Sequence, residues 1–325
     1  MWFEQAAVLV VAAGLDFVLG DPWGWPHPVQ VMGWIIQFYS RWVFKTIVSP
    51  SHQRLAGALL AISLIGGSGV VGWGLVGAAK AWHPIVGAGL EVVLLASCFA
   101  GRSLRRAAED VLTPLRKGDL VEARSRLSLY VGRDTDDLSE AEILRAVLET
   151  VTENATDGVL APLFFALLGS ALPGVGCVPL ALAYKAASTL DSMVGYREAP
   201  YTDLGWFSAR LEDALTWLPC RLVVGTIALL SRQPRRVLQV CRRDAIADPS
   251  PNAGWSECAY AAALGVQVGG PNRYRGVVKV KPALGDALHP ITPERIRQAM
   301  QFTRWAFLTW LCLAMIGLVG IGLLH

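Results

Sequence analysis

The chain has 325 residues, of which 53% are hydrophobic and only 17% are charged. A soluble domain usually carries about 25% charged residues, so this composition excludes a disordered chain, a secreted disulfide scaffold and most ordinary cytosolic enzymes. The net charge of +3 is small for this length, and we therefore expect no nucleic-acid partner. The 12 Trp and 32 Gly residues strengthen a membrane signal, because Trp favours membrane interfaces and Gly is tolerated in packed transmembrane helices.

Long apolar runs predict an all-α fold, that of a polytopic integral membrane protein whose polar connections form cytoplasmic helices and irregular loops. A spanning helix needs about 20 mostly apolar residues. Four segments meet this condition, at about 5–20, 55–79, 84–100 and 305–324. We treat the whole chain, 1–325, as one membrane-embedded domain.

Two further apolar segments are ambiguous. Segment 158–187 is interrupted by Pro173-Gly174, and segment 211–230 contains Pro219. Each is compatible with a span, with a helical hairpin that enters the membrane partway, or with a helix buried beneath the others.

Two long polar regions, 101–157 and 231–304, carry most of the Lys and Arg residues. The positive-inside rule therefore predicts that both regions face the cytoplasm. Helical spacing and an S-x-x-E capping box formed by Ser139 and Glu142 predict helices in the first region. The stretch 244–290 is rich in Pro and Gly, so we expect turns and few helices there.

An acidic run enters the apolar segment that begins at Val159. Glu149, Glu153 and Asp157 are spaced so that an α-helix would place all three on one face. Carboxylates at a membrane edge are costly and usually functional. Such oxygen ligands suit Mg²⁺, which binds through one or two carboxylates plus substrate phosphates. The alternative is the solvated acidic face of an ordinary helix.

Other charged residues also lie beside apolar segments or turns, where they are candidates for a functional role. Lys185 and Asp191 lie at the end of an apolar segment, although Lys185 is also compatible with snorkelling to the interface. Arg243 precedes a turn that contains Asn252, and an arginine beside such a turn is suited to hold phosphate or carboxylate. His27 alone is more typical of a hydrogen-bonded structural residue.

One motif match has no expected catalytic role, and three common catalytic or nucleotide-binding motifs are absent from the sequence. The run Gly67-Ser68-Gly69-Val70-Val71-Gly72 fits G-x-G-x-x-G, but it lies inside an apolar span with no strand before it, so we expect it to serve helix packing. The sequence contains no Walker A loop, no G-x-S-x-G elbow and no H-E-x-x-H motif.

Five motifs follow one another along the chain. They are Gly20-Asp21-Pro22 with Pro26-His27-Pro28-Val29, Val131-Gly132-Arg133-Asp134, Glu149 to Gly158 with Ala161-Pro162-Leu163-Phe164, Ser188 to Tyr196, and Arg243-Asp244 with Ser250-Pro251-Asn252-Ala253-Gly254. Together they resemble the adenosylcobinamide-phosphate synthase family of cobalamin biosynthesis. They occur in the family's order and cover roughly residues 14–285. Ser188 and Asp248 depart from the family's usual Asn and His.

The resemblance implies an amide-forming ligase in the cell inner membrane. Such enzymes join the propionate carboxylate of adenosylcobyric acid to the amine of an O-phosphorylated amino alcohol, usually aminopropanol phosphate, and yield adenosylcobinamide phosphate. ATP is the co-substrate and Mg²⁺ the metal. Besides these substrates and membrane lipid, expected partners are a second copy of the chain or other enzymes of the corrinoid pathway.

The resemblance also implies roles for individual residues. The expected metal-binding and catalytic carboxylates are Glu149, Glu153, Asp157 and Asp191, and Lys185 is a further expected catalytic residue. The expected substrate-binding residues are Arg133, Asn154, Arg243, Asn252, Asp21 and His27. In these roles the cations neutralise phosphates, the two asparagines orient substrate amides, and the loop that contains Asp21 and His27 caps the site.

One site that includes both Glu153 and Asp191 imposes a condition on the fold. If 158–187 were one ordinary span, these two carboxylates would lie on opposite membrane faces. The shared site therefore requires the chain to turn back at Pro173-Gly174, with arms too short to cross fully. The alternative to an enzyme is a corrinoid transporter or a non-catalytic scaffold, since broken helices also suit transporters. We favour the enzyme, because the sequence shows no inverted repeat.

Overall fold

The computed structural model describes residues 2–20 and 27–324, and this part of the chain is predominantly helical. The predicted all-α membrane architecture is confirmed. The chain forms two compact units. Unit 1 comprises Met1–Arg102, Ala161–Thr216 and Trp310–His325, and unit 2 comprises Ser103–Leu160 and Trp217–Thr309.

Six helices of the described residues lie entirely in unit 1. They are α1 (Trp2–Val18), α2 (Pro28–Thr46), α3 (Pro50–Trp82), α4 (Pro84–Ala96), α8 (Ala161–Ala171) and α9 (Cys177–Val194). Two long helices contribute residues to both units, namely α10 (Trp206–Leu230) and α13 (Pro293–Leu324).

The remaining elements belong to unit 2, except that α5 begins at the end of unit 1. They are α5 (Gly101–Arg116), α6 (Leu120–Leu127), α7 (Glu140–Asn154), a π-helix (Ala155–Leu160), α11 (Pro234–Asp244), α12 (Ala253–Leu264), β1 (Val268–Tyr274) and β2 (Val277–Leu284). The predicted capping box begins α7: the Glu142 N–H donates to Ser139 Oγ at 3.4 Å, and the Ser139 N–H donates to Glu142 Oε2 at 2.8 Å.

Glycines allow α3 to pack closely on α9. A Cβ at Gly72 would lie 2.6 Å from Leu182 Cδ1, and one at Gly69 would lie 3.2 Å from the Pro179 carbonyl oxygen. The two helices approach this closely because glycine has no side chain to separate them. The prediction that the glycine motif serves helix packing is confirmed.

The apolar segment 158–187 turns back on itself. The rings of Phe165 on α8 and Tyr184 on α9 stack with their centroids 4.8 Å apart, so the two helices are antiparallel arms of a hairpin. The turn between them contains Pro173 and Gly174, and Gly174 has a φ of 78°, which glycine adopts without strain. Of the three alternatives for this segment, the structure has the hairpin, which is the reversal that a site shared by Glu153 and Asp191 requires.

Four helices in the described part of the chain are long and apolar enough to cross a membrane. They are α3 (Pro50–Trp82), the stretch Pro84–Arg116 that joins α4 and α5, α10 (Trp206–Leu230) and most of α13 (Pro293–Gly320). They account for the predicted spans at 55–79 and 84–100 and for most of 305–324, and they place the ambiguous segment 211–230 in a long apolar helix. The predicted span at 5–20 coincides with α1, whose 17 residues lie at the lower limit for a crossing helix; α1 is not among the four.

The Pro- and Gly-rich stretch 244–290 is more regular than its composition predicts. It contains α12 and an antiparallel hairpin that runs from the Val268–Leu284 pair to the Tyr274–Val277 pair. The register is irregular between Val268 and Gly270. A strand interrupted by a glycine bulge has a composition similar to that of a loop, which explains why sequence patterns did not reveal it.

Candidate functional site

Glu149 lies at the centre of a buried polar network in unit 2. Arg133 Nη2 donates to Glu149 Oε2 at 2.5 Å, and the Gly269 N–H donates to Glu149 Oε1 at 2.8 Å. Arg133 Nη1 also donates to Asn272 Oδ1 at 2.8 Å. The side chains of Arg133 and Glu149 are only 7% and 2% exposed. The network therefore joins the loop before α7, α7 itself and β1 through charge-assisted hydrogen bonds.

Arg145 lies one helical turn before Glu149 and ties α7 to the same strand. It donates to the carbonyl oxygens of Gly269 and Pro271 and to Asn272 Oδ1. Asn272 is buried, and its Nδ2 has no hydrogen-bond partner in the described part of the chain. Sequence reasoning singled out neither Arg145 nor Asn272, because their partners are more than 120 residues away along the chain.

A second cluster in unit 2 surrounds Lys281 of β2. Lys281 Nζ lies 3.4 Å from Glu257 Oε1 of α12. The charges of Glu153, Glu149 and Asp248 also act on this ammonium. Glu257 is 1% exposed, whereas Glu153 and Asp248 are half-buried. Of these residues, only Glu149 and Glu153 were predicted to be functional. Glu257 is the one charged residue in a helix of otherwise small, polar and apolar residues, and this contrast is what could have identified it from the sequence.

Burial changes how this cluster titrates. Burial raises the pKa of the Glu257 carboxyl to about 8, with Glu153, Glu149 and Asp248 adding to the rise and Lys281 opposing it. Burial also raises the pKa of Glu153. Burial by itself lowers the pKa of Lys281, but the surrounding carboxylates outweigh it and hold that pKa above its ordinary value. At neutral pH the cluster therefore contains a charged ammonium and retains a proton on a buried carboxyl.

The acidic run does not continue as one α-helix. Glu149 and Glu153 are one turn apart on α7, but α7 ends at Asn154 and the π-helix contains Asp157. The predicted spacing of Glu149 and Glu153 by one turn of an α-helix is confirmed, whereas Asp157 lies in the π-helix that follows, so its place on the same face stays a prediction. Asn154 is exposed, and its Nδ2 donates to the Thr150 carbonyl oxygen at 2.9 Å.

Arg221 fixes the turn that contains Asn252. Arg221 Nη1 donates to Asn252 Oδ1 at 3.3 Å, and Nη2 donates to the Pro251 carbonyl oxygen at 2.9 Å. The guanidinium also lies over the rings of Trp255 and Trp217, at 4.5 Å and 5.3 Å from their centroids. Asn252 is 4% exposed. In the sequence, Arg221 is a charged residue within an apolar segment. In the structure, its hydrogen bonds and ring contacts fix the turn that contains Asn252, a predicted substrate-binding residue.

Arg243 is already paired with acidic side chains. It donates to Asp244 at 2.6 Å and 2.8 Å and to Asp286 at 2.8 Å. Its side chain is 57% exposed, so solvent weakens these ion pairs. A phosphate would have to compete with both carboxylates for this guanidinium, and its predicted role in substrate binding stays a prediction.

In unit 1, Lys185 and Asp191 are half-buried on α9. Because they belong to a different unit from Glu149, Glu153 and Asp157, one site that contains both groups stays a prediction. The neighbouring Tyr184 hydroxyl lies 3.4 Å from Glu212 Oε1 and 2.8 Å from Thr216 Oγ1. Glu212 is 7% exposed within an apolar helix, and the Tyr184 and Thr216 hydroxyls lie beside its carboxyl group. In the sequence, Glu212 is recognisable only as an acidic residue at the start of an apolar segment.

His27 begins α2 as its N-cap residue. Its Nδ1 accepts the Val29 N–H at 3.3 Å, which satisfies one of the free donors at the helix start. This contact agrees with the structural interpretation of His27. Asp21, the other residue predicted to cap the site, lies outside the described residues.

The carboxylates in unit 2 suit Mg²⁺ only if substrate and water supply part of its coordination. Within residues 2–20 and 27–324, no three Asp, Glu, His or Cys side chains are placed to hold a metal ion together. Glu149 uses both oxygens for Arg133 and Gly269. Glu153 and Asp248 remain as half-buried carboxylates. Such a pair does not form an all-protein cage, but it suits Mg²⁺ that completes its coordination with substrate phosphates and water.

Comparisons with known proteins identify the family. A family model described as CobD/Cbib protein matches residues 9–303. The chain is 51% identical over 321 residues to "Cobalamin biosynthesis protein CobD" from Synechocystis sp., covering 98% of this chain and 94% of the relative. It is 44% identical over 295 residues to "Cobalamin biosynthesis protein CbiB" from Salmonella typhimurium, covering 90% of each chain. No solved structure matches the chain. The chain belongs to the CobD/CbiB family of cobalamin biosynthesis proteins.

Proposed function

We propose that the protein is an adenosylcobinamide-phosphate synthase. In this proposal it uses ATP to join the propionate carboxylate of adenosylcobyric acid to the amine of an O-phosphorylated amino alcohol such as aminopropanol phosphate. The product is adenosylcobinamide phosphate. Membership of a cobalamin biosynthesis family supports the pathway, and the five motifs support the reaction.

The observation that carries the proposal is the charged cluster of unit 2. Half-buried Glu153 and Asp248 lie with Lys281 in one electrostatic group. Carboxylates that accept a metal ion and an ammonium that contacts phosphate are what a phosphoryl-transfer site needs. A transporter or scaffold has no such requirement for paired carboxylates beside a lysine.

The proposed chemistry has two steps. A propionate oxygen attacks the γ-phosphorus of ATP and ADP leaves, which gives an acyl phosphate. The neutral amine then attacks the acyl carbon, inorganic phosphate leaves, and the amine loses a proton. Holding carboxylate, triphosphate and amine together supplies much of the rate, because it converts encounters between separate molecules into steps within one complex.

The residues divide this work. Glu153 and Asp248 would hold Mg²⁺, with Asp157 and, if the shared site forms, Asp191 as further proposed ligands, and the metal when bound would neutralise the phosphate oxygens. Glu149 fixes α7 against β1 through its hydrogen bonds with Arg133 and the Gly269 amide. Lys185 and Arg243 remain proposed contacts for substrate phosphates, and Asn154 and Asn252 for substrate amides.

The cellular setting is part of the proposal. The protein is a membrane protein with long apolar helices, and we place it in the cell inner membrane with the site on the cytoplasmic side, because the long polar regions are rich in Lys and Arg. Assembly with a second copy or with other corrinoid-pathway enzymes would bring the substrates together.

The test uses the purified full-length protein in detergent with adenosylcobyric acid, ATP, Mg²⁺ and each phosphorylated amino alcohol in turn. Mass spectrometry detects the amide. We expect product with one amine, dependent on ATP, and loss of at least about 100-fold in rate for Glu153→Gln, the scale of losing one electrostatic contact that stabilises a transition state. Glu140→Gln, an exposed change on the first turn of the same helix, is the matched control and should keep full rate.

Two outcomes would overturn the proposal. Full rate in Glu153→Gln would remove the metal role of the carboxylate. No amide with any amine, despite measurable binding of the corrinoid, would favour the transporter or scaffold.

A further inference from the structure

Lys281 links the buried part of unit 2 to its surface. Its side chain is 31% exposed, whereas that of its partner Glu257 is 1% exposed. The Nζ–Oε1 distance is 3.4 Å, longer than the roughly 2.7–2.9 Å of a firm charge-assisted hydrogen bond. The ammonium is therefore held loosely and has donors available for another acceptor.

Glu257 has an unused oxygen. Its Oε2 is buried and accepts no hydrogen bond in the described part of the chain. An unsatisfied buried polar atom costs about 1–3 kcal/mol, and in a native protein it calls for an explanation such as a role in a site.

The net charge around Lys281 determines which kind of ligand is attracted to it. Arg133 compensates Glu149. Lys281 is then a single cation among the carboxyl groups of Glu257, Glu153 and Asp248, so the cluster has more acidic than basic groups. This field repels a bare phosphate but attracts a phosphate chain that arrives with a divalent cation, since the cation reverses the sign.

We propose that Lys281 contacts the phosphates of a magnesium–nucleoside triphosphate, and that Glu257 is the positioning residue that holds Lys281. Glu153 and Asp248 supply the oxygens that face the cation. Lysine suits this task because it is a compact point charge on a flexible stem, able to move from Glu257 to a phosphate oxygen. This inference rests on the proposed function for the identity of the nucleotide.

The first experiment measures binding and requires no turnover. Equilibrium dialysis of radiolabelled ATP is run with and without MgCl₂ on wild type, Lys281→Met, Lys281→Arg and Glu257→Gln. We expect Mg²⁺-dependent binding by wild type, weakened by at least about tenfold (roughly 1.4 kcal/mol) in Lys281→Met, and smaller losses in Lys281→Arg and Glu257→Gln.

Lys279→Met is the matched control. Lys279 is exposed on the same strand, with its Nζ 5.6 Å from the centroid of the Tyr274 ring, so this change removes the same charge two residues away. It should leave ATP binding unchanged. Dialysis of radiolabelled aminopropanol phosphate distinguishes the two phosphate-bearing substrates: its affinity should be the same in Lys281→Met and in wild type.

The second experiment uses the unaltered protein and so does not depend on a variant that folds. Acylation of Lys281 by an amine-reactive reagent is quantified by mass spectrometry. ATP with Mg²⁺ should protect Lys281, whereas ATP without Mg²⁺ and aminopropanol phosphate should not. Protection by aminopropanol phosphate alone would overturn the assignment to a nucleotide.

The failure of this inference can be told apart from the failure of the proposed function. Amide formation by wild type together with unchanged ATP binding and KM in Lys281→Met would overturn the subsite and leave the ligase standing. Mg²⁺-dependent ATP binding that requires Lys281, with no amide from any amine, would support the subsite and overturn the ligase. No ATP binding by wild type would overturn both.

Discussion

Removing Arg133 should destabilise unit 2 strongly. Arg133→Met deletes the 2.5 Å contact with Glu149 and the 2.8 Å contact with Asn272. Glu149 is 2% exposed and would keep only the Gly269 N–H as a partner. Breaking a buried ion pair and leaving one charge uncompensated costs about 3–5 kcal/mol.

The assay is thermal unfolding of the purified protein in detergent, followed by tryptophan fluorescence. If unit 2 unfolds in one transition, a loss of 3 kcal/mol lowers Tm by roughly 6–12 °C. The matched control is Arg116→Met, because Arg116 pairs with Glu109 while both side chains are 41% exposed. An exposed pair contributes about 0–1 kcal/mol, so the control should barely change Tm.

Removing both charges tests the physical reason. The double variant Arg133→Met with Glu149→Leu leaves no unpaired charge in the core, so it should be more stable than Arg133→Met alone. The reasoning would be refuted if Arg133→Met lowered Tm no more than Arg116→Met, or if the double variant lost the sum of two large effects.

Three further predictions concern packing, a buried ion pair and pH. Gly72→Val should destabilise unit 1 by about 1–3 kcal/mol through overpacking, whereas Gly74→Val, where a Cβ meets nothing within 4 Å, should be tolerated; equal Tm values would contradict the helix contact. Lys80→Met should cost about 3–5 kcal/mol by leaving Glu91, 2% exposed, without its 2.6 Å partner, and an unchanged Tm would show that the pair contributes nothing. Glu257 keeps its proton to about pH 8 in the folded protein but loses it near its ordinary value of 4.5 when unfolded, so the folded state binds more protons between these limits and stability falls as pH rises through them. Glu257→Gln should flatten this decline in Tm between pH 5 and 8, and an identical slope would refute the assignment.

Local patterns in the sequence predicted much of the architecture. Apolar length identified three of the four helices suited to crossing a membrane, and the Ser139–Glu142 capping box located the start of α7. The Pro173-Gly174 interruption indicated a hairpin as one of three alternatives, and the structure has its turn there. These features depend on hydropathy and backbone preference over a few neighbouring residues, so they can be read without knowing what packs against them.

The candidate site was predictable only in part. Glu149 and Glu153 were identified because acidic residues beside an apolar segment are unusual, but their partners were not. Asn272 is 139 residues from Arg133, and Gly269 is 120 residues from Glu149. Neither lies in a segment with a recognisable local pattern.

The sequence by itself determined the membrane-protein class, the helical pattern and the family, because these depend on composition, periodicity and ordered motifs. Only the tertiary structure decided that Glu149 is bound on both oxygens, that a π-helix carries Asp157, and that Glu257 and Lys281 lie together. Burial and hydrogen bonding arise when segments distant along the chain pack against each other. That packing determines which charges are compensated and which remain available for a ligand.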